Sequence, residues 1–85
     1  MAYKIEFSKS ARKQFDALPI PVQDKLEKKI DDLAHNPRPQ GVVKLTNEDN
    51  LYRIRAGDYR VIYQIQDKIL LILVVKIGHR REIYR

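Results

Sequence analysis

The sequence predicts an α+β domain in which one strand and a two-helix hairpin precede a three-stranded antiparallel meander. The four strands would form one sheet with both helices on one face. Three observations predict this fold: an alternating apolar segment at the start of the chain, two helical apolar stripes separated by prolines, and three strand-like runs joined by short turns. Because 85 residues can bury only one core, residues 1–85 are predicted to form a single domain.

The first strand and the helices are predicted from the spacing of apolar residues. Tyr3, Ile5 and Phe7 alternate with charged residues, which is the period of a half-buried strand. Two stripes at helical spacing follow: Ala11, Phe15 and Leu18 in the first helix, and Val22, Leu26, Ile30 and Leu33 in the second. Prolines separate and end these helices. Residues 37–50 are predicted to be mostly loop, with an anchor at Lys44 and Leu45.

The charge balance indicates a polyanionic partner. The chain has 17 basic and 11 acidic residues, a formal net charge of +6. It has no cysteine, which excludes a disulfide framework, a thiolate metal site and a cysteine nucleophile, and its two histidines are too far apart in the chain to predict a metal site. No export signal and no apolar run of about 20 residues is present, so a cytoplasmic protein without membrane association is expected.

The meander strands are predicted at 51–56, 59–66 and 69–77, joined by the two-residue loops Gly57-Asp58 and Asp67-Lys68. Pairing across the first loop places Arg55 opposite Arg60. Because side chains alternate between faces, Arg53, Arg55 and Arg60 would share the face away from the helices. Pairing across the second loop places three further pairs in register: Gln64 with Leu71, Ile62 with Leu73, and Arg60 with Val75.

Two opposed arginines destabilise a strand pair by up to about 1 kcal/mol, so a role that offsets this cost is expected for them. One interpretation is a solvated face in a basic protein. The other is a phosphate pocket, because a guanidinium group binds phosphate oxygens through two parallel hydrogen bonds. The third strand favours the pocket, since its end returns to the same edge and Gly78 would permit a bend that aims His79 or Arg80 over the arginines.

These residues also carry a family resemblance. Residues 51–63, Leu-Tyr-Arg-Ile-Arg-Ala-Gly-Asp-Tyr-Arg-Val-Ile-Tyr, followed by Ile77-Gly78-His79-Arg80 and by Tyr84, resemble the RelE branch of the RelE/ParE toxin superfamily. The resemblance implies a RelE-like, microbial RNase-like fold and the toxin of a type II toxin–antitoxin pair. Such toxins cut mRNA codons in the ribosomal A site, use the 2′-hydroxyl of the RNA as nucleophile, need no metal or cofactor, and are neutralised by a RelB-like antitoxin.

The resemblance also implies site residues. It implies catalytic roles for Arg53, Arg55, Arg60, Arg80 and Tyr84. His79 joins this candidate set because the ordinary pKa of histidine suits acid–base work, and Lys44, Arg81 and Arg85 are expected to contact RNA. Relatives often carry lysine where this chain has Arg53 and Arg55. Arginine stays protonated in proteins, so these two side chains are expected to stabilise phosphorane charge and not to remove a proton. The general base is left open among His79, Tyr84 and a ribosomal group.

Two other functions fit a basic domain of this kind. A ParE-like toxin on the same scaffold would inhibit DNA gyrase by protein binding and would cut no RNA. A basic RNA-binding module without catalysis is the third alternative. The placement of arginines at 53, 55, 60 and 80 together with Tyr84 favours the nuclease, because inhibition of gyrase requires no phosphate pocket.

Overall fold

The structure, a computed structural model, describes residues 2–45 and 50–79. Within these ranges, helices α1 (Lys9–Asp16) and α2 (Ile20–Leu33) pack on one face of a five-stranded mixed sheet. Its strands are β1 (Lys4–Phe7), β2 (Val43–Lys44), β3 (Leu51–Ala56), β4 (Tyr59–Gln66) and β5 (Leu71–His79). Their order across the sheet is β1-β5-β4-β3-β2, with β1 parallel to β5 and every other pair antiparallel.

The α+β class, the two helices and the meander are confirmed, and the sheet gains one strand. Val43–Lys44 lies in the segment predicted as mostly loop, yet it pairs with Arg53 and Tyr52 of β3. The two-residue β2 has no alternating apolar pattern that could reveal it. None of the helices in the described ranges is long and apolar enough to cross a membrane.

The core lies between the helices and one face of the sheet. Helix α1 contributes Ala11 and Phe15 to the core, and α2 contributes three residues. They pack against the strand residues whose side chains face the helices. The buried strand residues are Tyr52, Ile54, Ala56, Val61, Tyr63, Ile65, Ile72, Val74 and Ile77. At the start of α1, the Ser8 hydroxyl accepts a hydrogen bond from the Ala11 N–H at 3.1 Å, as a helix N-cap does.

The β3–β4 hairpin has the predicted register. Ala56 pairs with Tyr59, Arg55 with Arg60, and so on to Leu51 and Gln64. Gly57 opens the loop with a φ of +61°, a backbone conformation that glycine adopts without the penalty paid by other residues. The two-residue loop then fixes every later pair of the hairpin.

The predicted register of the β4–β5 hairpin is wrong. Its connection is longer than Asp67-Lys68, because a 3-10 turn at Asp67–Ile69 is followed by Leu70 in the left-handed conformation with a φ of 52°. Gln64 therefore pairs with Leu73 instead of Leu71, and Gln66 takes Leu71. The turn is held from outside, since the Asp67 carboxylate accepts hydrogen bonds from Arg38 at 2.9 Å and Tyr3 at 2.6 Å.

A β-bulge in β5 displaces the register further. Tyr63 pairs with Val74 and Ile62 with Lys76, so Val75 is the extra residue. Arg60 consequently lies opposite Gly78, not opposite Val75 as predicted. The bulge has a packing reason: Val74 and Ile77 are both buried, although three residues apart they would point to opposite faces of a regular strand.

Two side chains, one at the N-cap of α1 and one within α1, form hydrogen bonds with the part of β5 that lies beyond its pairing with β1. The Ser8 hydroxyl lies 3.3 Å from the Val75 carbonyl oxygen, to which it donates. The backbone N–H of Ile77 donates to Oε1 of Gln14 at 2.7 Å. These two side chains therefore hold the bulge and the end of β5 against the helix.

Candidate functional site

The sheet face opposite the helices, called here the open face, carries a group of basic side chains on three adjacent strands. Arg53, Ile62 and Lys76 lie in one row across β3, β4 and β5. Arg55, Arg60 and Gly78 form the next row, about 6.6 Å away along the strands. Arg53, Arg55, Arg60 and Lys76 are called the basic cluster below.

The members of the basic cluster differ in exposure. Arg60, in the centre, is only 5% exposed, while Arg53 is half-buried. Arg55 and Lys76 are exposed, and within residues 2–45 and 50–79 neither forms an ion pair. A phosphate can bind the buried guanidinium and an exposed cation at the same time. The partial burial of this place reduces solvent screening of both contacts.

Lys76 was missed by the sequence prediction. In the predicted register it belonged to the helix side of the sheet, and only the bulge at Val75 brings it to the open face beside Ile62. The sequence alone does not reveal the bulge, because residues 69–75 are apolar on both faces, and only the burial of Ile72, Val74 and Ile77 together shows that the strand is irregular. The residues of β5 that face the core change from even to odd numbers between 74 and 77, and Lys76 lies in that interval.

Two predicted site residues lie apart from the basic cluster. His79 pairs with Tyr59, whose side chain is on the helix side, and the two rings meet edge to face with centroids 5.6 Å apart. Lys44 is exposed opposite Tyr52, another residue of the helix side. The structure therefore brings neither side chain together with the arginines, and this geometry does not support the role of His79 as a base.

The remaining predicted residues are Arg80, Arg81, Tyr84 and Arg85, which lie outside the described residues. Their roles stay predictions. Within the described ranges, no group of three or more histidine, aspartate or glutamate side chains is arranged to hold a metal ion.

The clearest pKa shifts lie at the opposite end of the sheet, near the β4–β5 turn. Hydrogen bonds from Arg38 and Tyr3 lower the pKa of the Asp67 carboxyl. The hydrogen bond to Asp67 raises the pKa of Tyr3, and burial raises the pKa of Tyr63. Tyr3 and Asp67 are 64 residues apart in the chain, and Asp67 follows the Gln66–Leu71 pair, which is four pairs along the strands from the Ile62–Lys76 pair, so their hydrogen bond holds the turn.

Comparisons with known proteins agree with the fold. The family model for the ParE toxin of type II toxin–antitoxin systems, parDE, matches residues 5–84. The mRNA interferase toxin RelE of Escherichia coli K12 is 32% identical over 88 residues, covering 99% of this chain and 92% of that protein.

Solved structures give the same result. The isolated RelE toxin of E. coli superposes with a TM-score of 0.84 at 30% identity, covering 98% of this chain and 92% of that one. The RelE–RelB complex of Pyrococcus horikoshii has a TM-score of 0.82 at 33% identity, covering 94% and 97%. The family model is that of ParE, whereas these relatives are RelE proteins that match nearly end to end. The chain therefore belongs to the RelE branch of the RelE/ParE superfamily of type II toxins.

Proposed function

We propose that this chain is the toxin of a type II toxin–antitoxin pair and acts in the cytoplasm as an mRNA interferase, cutting mRNA in the ribosomal A site and so inhibiting translation. The observation that carries the proposal is the basic cluster, in which Arg55 and Arg60 are directly opposed and Lys76 lies in the adjacent row. Cations so close together gain most from a bound anion, and a phosphodiester supplies one. The name of the E. coli relative, an mRNA interferase, supports RNA as the source of that phosphate.

The proposed reaction is a transesterification within the RNA. The 2′-oxygen attacks the adjacent phosphorus, the bond to the 5′-oxygen of the next nucleotide breaks, and a 2′,3′-cyclic phosphate and a 5′-hydroxyl result. The base takes the proton of the 2′-hydroxyl and the leaving 5′-oxygen gains one. Negative charge on the phosphorane rises during the attack, and fixed cations aimed at it lower the barrier.

The arginines of the basic cluster supply this electrostatic part of catalysis and not the proton transfer, because arginine stays protonated. The base is therefore not one of these three arginines, and Tyr84 or a ribosomal group remains the prediction. A ribosomal base would make cleavage depend on the ribosome.

A cognate antitoxin is the proposed protein partner. RelE of E. coli and RelE of P. horikoshii are each known in complex with RelB. An acidic antitoxin would complement the net charge of +6. Co-purification with the product of the adjacent gene tests this, and its failure to bind would contradict it.

Programmed ribosomes test the proposed activity. Purified ribosomes carrying a defined mRNA are incubated with the wild type, with Arg55→Ala, with Arg60→Lys and with Lys76→Ala. We expect a fall in cleavage rate of about 10²-fold for each arginine variant, as for loss of one oxyanion-stabilising donor, and of roughly tenfold for Lys76→Ala. Arg12→Ala and Lys68→Ala, which remove exposed charges elsewhere, should cleave like the wild type.

Thermal unfolding of each variant separates loss of activity from loss of fold. Arg55 and Lys76 are exposed, so their variants should melt like the wild type. Wild-type cleavage by both arginine variants would contradict the proposed site. Inhibition of purified gyrase with intact mRNA would instead establish the ParE-like alternative.

A further inference from the structure

A cavity of about 430 Å³ lies beyond the free edge of β3. Strand β2 pairs with β3 only at Tyr52 and Arg53, so the edge from Ile54 onward has no neighbouring strand in the described residues. The last turns of α2 and the loop over residues 36–41 enclose the other sides. Arg55 lines this cavity and is also a member of the basic cluster, so this side chain is shared by the two sites.

The cavity combines an apolar floor with a polar rim. Leu33 and Ile54 are 1% and 6% exposed and form the floor. The rim has side chains of three chemical kinds: the cations Lys29 and Arg55, the carboxylate Asp32, and the amides Asn36 and Gln40. Within residues 2–45 and 50–79, none of these five side chains makes a hydrogen bond or an ion pair, so their polar groups are available to a ligand.

We propose that this cavity is a subsite for one nucleotide of the cleaved RNA, next to the scissile phosphate. This inference rests on the proposed function. The flat apolar floor suits a base, the amides and Asp32 can bond to its edge, and Arg55 reaches the connecting phosphate. A carboxylate side chain of an acidic protein partner would meet Asp32 at the rim, which favours a nucleotide as the occupant.

Asp32 gives the subsite a preference among bases. An ionised carboxylate only accepts hydrogen bonds, so it favours a base that presents an amino group. Adenine, cytosine and guanine have one, whereas uracil has only its ring N–H, which lies between two carbonyl oxygens that repel the carboxylate. The subsite should therefore discriminate against uracil at one position of the codon.

Two charge-matched pairs of variants test the subsite. Asp32→Asn removes the carboxylate at the rim, whereas Asp31→Asn removes the same charge from the adjacent exposed residue of α2, which does not line the cavity. Lys29→Gln and Lys28→Gln form the second pair, since Lys28 also lies outside the cavity. Neither Asp32 nor Lys29 belongs to the basic cluster, so the variants retain its phosphate contacts.

The first readout is a codon-resolved map of the cuts made on programmed ribosomes. Asp32→Asn should change the ratio of cutting between amino-bearing bases and uracil at one position by about tenfold, as for loss of one good base contact. Asp31→Asn should leave the map unchanged. Identical maps for the two variants would overturn the proposal.

The second readout measures nucleotide binding and does not depend on cleavage. It can therefore contradict the subsite while the proposed function stands, and it can support the subsite even if the chain cleaves no mRNA. Amide NMR spectra of the labelled chain are recorded with millimolar AMP, CMP, GMP or UMP. The first three should shift the amides of Leu33, Asn36 and Gln40 more than UMP does, in the wild type and in Asp31→Asn but not in Asp32→Asn. Equal shifts with all four nucleotides, or no shifts, would overturn the proposal. It would also be overturned if these amides responded to added antitoxin and to none of the nucleotides.

Discussion

At the scale of single residues, Gln14 links helix α1 to the strand that carries Lys76. Its Oε1 accepts the backbone N–H of Ile77 at 2.7 Å, immediately after Lys76 and next to Gly78, which lies opposite Arg60. Nothing in the sequence marks Gln14, because the bond spans 63 residues and depends on the bulge at Val75. Gln14 is a positioning residue: it acts on the basic cluster only through the backbone of β5.

Gln14→Met tests that role, because methionine keeps the length of the side chain and removes the acceptor. The Ile77 N–H, in a buried residue, would lose its partner, so we expect the free energy of unfolding to fall by about 1–3 kcal/mol. Urea denaturation measures the change. Lys13→Met, on the exposed surface of the same helix, should stay within about 0.5 kcal/mol of the wild type. Equal stability of the two variants would remove Gln14 from this account.

At the scale of elements, the two hairpins show what a sequence can and cannot predict. The β3–β4 register was predicted to the residue because Gly57 determines the loop and the loop determines every pair after it. The β4–β5 turn is held by Tyr3 and Arg38, which are 64 and 29 residues away from Asp67 in the chain. Local pattern contains no information on such contacts. Three arginines of the site were therefore predictable, and Lys76 was not.

The β4–β5 turn should respond to pH through Asp67. Arg38 and Tyr3 lower its pKa in the folded chain below the ordinary value of 3.8, so the native state binds the proton less readily than the unfolded state. The stability that these contacts give is complete above that value and is lost as the pH falls through the lower folded pKa. Denaturation midpoints from pH 6 to pH 2 should therefore converge for the wild type and Asp67→Asn as the pH falls.

Asp58→Asn is the control for this comparison. Asp58 is exposed in the β3–β4 loop and forms no ion pair within the described part of the chain. Its variant should follow the wild type over the whole pH range. A constant difference between the wild type and Asp67→Asn would show that Asp67 stabilises the turn by packing and not by charge.

At the scale of the whole molecule, the fold separates two tasks by face. The helices cover one face of the sheet and supply the core, and the basic cluster lies on the open face. Basic residues occur along the entire chain, the exposed lysines of α2 among them, so the positions of basic residues alone do not distinguish the open face. The geometry of the sheet does, because it brings four cations from three strands together.

Salt dependence distinguishes the local cluster from the diffuse charge. For single-stranded RNA, the logarithm of the binding constant falls with that of salt concentration by about 0.7 for each phosphate neutralised. Four contacts at the basic cluster would give a slope of roughly −3 for a short RNA whose 2′-hydroxyls are methylated and which therefore cannot be cut. Lys76→Gln should reduce the slope by about 0.7, whereas Lys28→Gln, with the same change in net charge, should leave it unchanged. Fluorescence anisotropy across a salt series measures both slopes. Equal reductions in the two variants would mean that the RNA is held by the overall charge of the molecule and not by the open face.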